Sequence, residues 1–129
     1  MVSVVCYPGF GPGLEAPQRM SMVVDPEIRV IFVTVPDGPV ADEMATTLVE
    51  ESRVACVNVV PSVQSVYRWN GKVCRDSERL LVMKCPATGV AALMDRVRSL
   101  HPYDCPEILA LPVREGSKGY VQWVLDQGA

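Results

Sequence analysis

Along this chain the hydrophobic positions change period several times, and each change marks an element. Residues 28–35, IRVIFVTV, are β-branched and apolar on both faces, the pattern of a central buried strand. Pro36, Asp37 and Gly38 interrupt it, with Asp37 placed to cap a helix. Over 38–52, Val40, Met44 and Leu48 fall on one row and Ala41, Ala45 and Val49 on the next, which predicts a helix with one apolar face. Pro39 lies in its first turn, where amide donors lack partners anyway. The strand pattern returns over 54–60 and continues past Pro61 through 62–69. Asn70-Gly71 follows at once, a pair that accepts the positive φ both turn positions of a tight hairpin need. The return arm runs from Lys72 to Cys85. A second helix is predicted over 88–100, with Val90, Leu93, Met94, Val97 and Leu100 on one side. A fourth strand follows over 107–113, then a short helix from Ser117. Residues 1–26 hold four prolines and three glycines without either period, and read as a mobile N-terminal extension, structured at most at its end, to a domain over 27–127.

The order is β-α-β-β-α-β with a terminal helix. Right-handed crossovers around an antiparallel hairpin give an α+β, ferredoxin-like sandwich. The hairpin arms, 54–69 and 72–85, are each about three times the common strand length of 5–6 residues. Arms of that length outrun the covering helices and leave a two-stranded ribbon with unpaired edges. It carries Val63, Val66, Tyr67 and Trp69, residues that favour burial, so the chain is expected to self-associate through this hairpin.

Composition narrows the function classes. The 129 residues suit one domain, and 49% hydrophobic with 21% charged residues is ordinary for a globular protein. A net charge of −3 supplies no broad positive field, so nucleic acid is not an expected partner. No apolar run approaches the ~20 residues a membrane helix needs, so no membrane is expected either. The five cysteines include no Cys-x-x-Cys, which excludes a zinc knuckle or a thioredoxin-type pair. Reduced thiols and a cytoplasmic location are the expectation.

The stretches VTVPD (33–37), ACVNVVPSVQSVYRWNGK (55–72), DSE (76–78), HPYDCPEILALPV (101–113) and YVQWV (120–124) resemble the CutA family, the divalent-cation-tolerance proteins. The resemblance spans residues 28–126. It implies the ferredoxin-like fold, a homotrimer joined through the long hairpins, and a role in tolerance to copper and other divalent cations. It also invites comparison with trimeric PII-type signalling proteins, an analogy of architecture. Some members carry a cysteine in the first strand and a His-His pair before Pro-Tyr; here Val33 and Leu100 take those places, so that full ligand set is absent.

Candidate chemistry centres on HPYDCPE, 101–107. His101 is the only histidine, and an imidazole there is a candidate ligand for copper or zinc. The alternative is structural, because Pro102 drives residue 101 out of helical geometry and ends the helix. Cys56, in an apolar strand, is either a small buried residue or a soft metal ligand. Tyr67 and Trp69 share a strand face and suit an interface or a stacked ligand. Glu78 and Lys84 also share a face, as a salt bridge or as a cleft pair for an anionic ligand or an ion. One arrangement unites them: a rigid corner presents Tyr103, Asp104 and Glu107 to a neighbouring subunit's Tyr67, Lys84 or Cys56. No catalytic constellation is readable. VPDGPV lacks the arginine of a phosphate cradle, and a single histidine offers no triad. The chain therefore reads as a trimer that binds divalent cations at subunit boundaries and not as an enzyme. A PII-like small-ligand signalling or scaffold trimer, with an unidentified protein partner, is the second reading.

Overall fold

The computed structural model describes residues 21–127. Its strands are β1 (Met22–Val24), β2 (Ile28–Pro36), β3 (Cys56–Trp69), β4 (Lys72–Pro86), β5 (Ile108–Pro112) and β6 (Glu115–Ser117). Its α-helices are α1 (Val40–Glu50), α2 (Val90–Leu100) and α3 (Lys118–Gln127), with one 3-10 turn, Ala87–Gly89, ahead of α2. The four long strands form an antiparallel sheet in the order β3-β4-β2-β5, which is the ferredoxin-like arrangement, and β1 pairs with β6 in a second, two-stranded sheet.

The pleat divides the large sheet into two faces. On the first, Ile31, Val33 and Val35 of β2 and Leu81, Met83 and Cys85 of β4 are fully buried. They pack against Ala41, Met44 and Leu48 of α1 and Leu93 and Val97 of α2. This is why the helical residues recur at three- and four-residue spacing: only one stripe of each helix touches the sheet. Burial also lifts the Cys85 thiol to about 11, so it stays protonated and behaves as an apolar side chain.

The second face is covered at one end only. There α3 lays Val121 and Val124 against Ile28 and Ala55. Beyond that end, Val30 and Phe32 of β2 and Leu80 and Val82 of β4 are half-buried, while Val60, Leu109 and Leu111 are exposed. Among the described residues, no layer covers this apolar part of the sheet face.

Two expectations need correction, and the N-terminal extension has an ordered end. Asp37 does not cap α1: the first helical residue is Val40, no side chain caps it, and Asp37 pairs with Arg79 at 2.9 Å across the sheet end. Of the extension read over 1–26, residues 1–20 lie outside the described ones, but Met22–Val24 is a strand bound to Glu115–Ser117. Val54 and Ala55 are buried ahead of β3 instead of starting it.

The C-terminal end of α1 is tied to α2 by a two-pronged contact. Arg96 Nε donates to Glu51 Oε1 at 2.8 Å and Nη2 to Oε2 at 2.7 Å. The Arg96 hydrogen bond holds the Glu51 carboxyl below its usual 4.5. A carboxyl depressed on folding stabilises above its unfolded value, and that contribution disappears as pH falls through the folded one. Arg96→Met is therefore expected to lower the urea midpoint at pH 7, with the difference shrinking once the pH is taken well below the usual carboxyl value. An equal deficit at both pH values would contradict the assignment.

Candidate functional site

The site is built where the corner after α2 meets the base of the hairpin ribbon. Helix α2 closes with the His101 amide donating to the Val97 carbonyl at 2.9 Å, and His101 itself is extended (φ −84°, ψ 137°), as a residue before proline must be. Its side chain turns inward and the residue is 8% exposed. Nδ1 accepts from the Tyr103 amide at 3.1 Å, which places the ring proton on Nε2, where it donates to the Thr34 carbonyl at 2.8 Å. Strand β5 begins opposite Val33, one residue short of Thr34, so the imidazole satisfies a carbonyl that the ladder leaves beyond its end. The ring also lies 4.7 Å from that of Tyr103. His101 thereby fixes the course of 101–107. Both of its nitrogens are engaged, so a metal ion there would have to displace one of these bonds.

Tyr103 then reaches the second face of the sheet, where its hydroxyl donates to Glu78 Oε2 at 2.9 Å. Glu78 is only 8% exposed. What brings the ribbon's aromatics to the same place is an irregularity in β3. Val60 pairs with Leu80 but Val63 with Glu78, so three residues on one strand span two on the other. The extra length is taken up at Pro61, which has no amide to donate, and at Ser62, whose φ is +61°. A regular ladder would have turned Gln64, Val66 and Arg68 to the second face; the bulge turns Ser65, Tyr67 and Trp69 there instead. Tyr67 consequently donates to Asp76, its diagonal neighbour across the hairpin.

Between ribbon and corner lies a groove of about 760 Å³. Tyr67, Trp69 and Tyr103 supply aromatic surface, Asp76, Glu78, Asp104 and Glu107 supply carboxylates, and Thr34, Ser65, Val66 and Cys105 complete the lining. Among the described residues, no lysine or arginine lines it. The carboxylates leave their mark on the phenols. The hydrogen bond to Asp76 pushes Tyr67 up to about 12, and burial followed by the bond to Glu78 pushes Tyr103 to about 12. Both stay neutral donors throughout the physiological range.

Of the residues singled out in the sequence, Tyr67, Tyr103, Asp104 and Glu107 meet in this groove, with His101 directly behind it. Lys84 and Cys56 do not. Lys84 donates to Asn58, and Cys56 Sγ lies 3.5 Å from the Tyr120 hydroxyl under α3. Cys56 pairs with Lys84, four positions along β4 from the partner of Thr34, or roughly 13 Å from the His101 corner. Glu78 and Lys84 share a face but bond elsewhere, so they form no pair. Asp76 was not assigned to a site and was detectable only through its shared parity with Glu78. Among the described residues, no three His, Cys, Asp or Glu side chains stand together closely enough to hold a metal ion. Nor is any described helix long and apolar enough to cross a membrane.

Residues 29–127 match the family description "CutA1 divalent ion tolerance protein". The divalent-cation tolerance protein CutA of Thermus thermophilus is 47% identical over 96 residues, covering 74% of this chain and 93% of that protein. Protein CutA of Bos taurus is 44% identical over 116 residues, 90% of this chain, and the chain spans 65% of its length. Among solved structures, the Thermus thermophilus Cut A1 protein superposes with a TM-score of 0.77 at 44% identity, over 79% of this chain and 99% of that one. A PII-like protein CutA from Nostoc gives 0.73 at 33% identity, over 78% and 97%. Corner, bulge and ribbon all fall within the matched span, and the chain belongs to the CutA1 divalent ion tolerance family.

Proposed function

We propose that this protein is a homotrimer that takes up divalent cations at the boundaries between its subunits and acts by binding, not by turnover, in the cytoplasm. The observation that carries this reading is the groove, in which four carboxylates converge with no lysine or arginine among the described lining residues. Such a cleft raises the local concentration of cations. The uncovered apolar sheet face beside it supports association, and the threefold count is what the family resemblance implies. Within one chain the donors do not close around an ion, so a bound ion draws on a neighbour's groups as well. The donor set is rich in oxygen and favours cations that prefer oxygen ligands, such as Mn²⁺, over copper, which prefers nitrogen and sulfur. Copper or zinc at His101 would require release of the Thr34 or Tyr103 bond.

Asp104→Asn combined with Glu107→Gln removes two of the four charges without changing shape. Titration calorimetry with Mn²⁺ is expected to show affinity lowered at least about tenfold. Unchanged affinity would contradict a cation site in the groove. A second reading is supported by Tyr67, Trp69 and Tyr103, whose rings would suit an organic ligand in a PII-like trimer. The four carboxylates make the groove of a single chain unsuited to an anionic one.

A further inference from the structure

We infer that the groove takes a linear aliphatic polyamine, with protonated amines on its carboxylates and methylenes along its rings. This rests on the reading of the groove as a cation site and names a further class of cation for it. The first observation is Glu78, which lines the groove and is only 8% exposed. Its carboxylate receives one hydrogen bond, from the Tyr103 hydroxyl to Oε2. Oε1 accepts none from any described residue, and the adjacent guanidinium, Arg79, is turned to Asp37 instead. A phenol donates without cancelling charge. Glu78 is thus a buried carboxylate with no cationic partner among the described residues, an arrangement that is costly until a cation supplies one. Asp76 is in the same condition, bonded by the neutral hydroxyl of Tyr67.

The shape of the groove narrows the cation to an organic one. Its volume of about 760 Å³ is that of a small-molecule site. Tyr67 and Trp69, 41% and 66% exposed, offer ring surface that a bare ion cannot cover but an alkyl chain can, and ring faces attract an ammonium. The carboxylates stand on two walls. Asp76 and Glu78 are two residues apart on β4, about 7 Å, and Asp104 and Glu107 belong to the corner. A compact cation answers one of these positions, whereas a chain with amines at intervals answers several. A quaternary ammonium has no N–H to give Glu78, and a protonated amine does. A metal ion needs ligands gathered closely around it, which the described residues of one chain do not supply. An ammonium needs only an acceptor within hydrogen-bond reach.

The test is titration calorimetry of the full chain with spermine, beside a separate titration with Mn²⁺. Spermine is expected to bind, and Asp104→Asn with Glu107→Gln to weaken it at least about tenfold. Trp69→Ala, at a position 66% exposed, should weaken spermine about fivefold and leave the Mn²⁺ affinity unchanged. Spermine with every nitrogen quaternised keeps the charge but loses the donors, and should bind at least about tenfold more weakly than the parent amine. Mn²⁺ uptake without spermine binding would overturn this inference and leave the metal-ion reading standing. Spermine binding indifferent to both Trp69→Ala and quaternisation would also overturn it, as a contact of charge alone. Spermine binding with these dependences but no Mn²⁺ uptake would uphold it and remove the metal ion. Binding of neither would remove both.

Discussion

Replacing His101 by alanine lowers the stability of the domain by about 2–4 kcal/mol, the combined effect of two lost hydrogen bonds and an unfilled space. The Thr34 carbonyl and the Tyr103 amide both lose their partner, and water replaces it poorly where the parent side chain is 8% exposed. For a domain of about 100 residues this corresponds to a fall in melting temperature on the order of 10–20 °C. The measurement is thermal or urea unfolding of chelator-treated protein. A corner histidine destabilises when removed whether or not metal is present. A loss seen only with metal added would make the imidazole a ligand first, and would reverse the assignment made from its two occupied nitrogens.

Leu109→Glu is expected to split the proposed trimer. Leu109 lies on the second face of edge strand β5, opposite Phe32, and is 54% exposed in the single chain, so the substitution costs the isolated domain little. In the assembly the same position would place a carboxylate against the apolar face formed by Phe32, Val60, Leu80, Val82 and Leu111. An unpaired charge buried in such a contact costs several kcal/mol, so the dissociation constant should rise about a hundredfold or more. Light scattering across a dilution series reads this directly. Unchanged mass, with unchanged stability, would show that the open face is not where copies meet.

The elements of this fold were legible because each is encoded locally. Asn70 and Gly71 adopt the positive φ values, 50° and 76°, that the turn chemistry implied, and Ala41, Met44 and Leu48 of the α1 rows and Leu93 and Val97 of α2 are buried, although Val49 is exposed. What escaped detection depends on contacts between distant segments. Asp37 had the right identity for a cap, but β2 and β4 place Arg79 opposite Val35 and within its reach. The strand at Met22–Val24 exists because Glu115–Ser117 returns beside it, and nothing near residue 22 announces that.

The candidate site was half legible for the same reason. Tyr103, Asp104 and Glu107 lie in one rigid stretch, so reading one found the others. Glu78 and Lys84 were correctly given one face, but six residues of strand separate them by about 20 Å, too far to pair. Each instead found a partner nearby, Tyr103 for Glu78 and Asn58 for Lys84. The decisive feature was the bulge. Pro61 inside a strand pattern signals one, yet whether the extra residue is absorbed before or after it decides which face receives Tyr67 and Trp69. That choice is made by the pairing of Val63 with Glu78, across the hairpin.

Cations are expected to gather where copies of this chain meet, and native mass spectrometry reads this out in one step. Chelator-stripped protein would be sprayed alone and with a slight excess of Mn²⁺. The expected result is a homotrimer that gains about one ion per chain and fails to do so when Asp104 and Glu107 are made neutral. A monomer, or a trimer that stays ion-free beside the added metal, would contradict it.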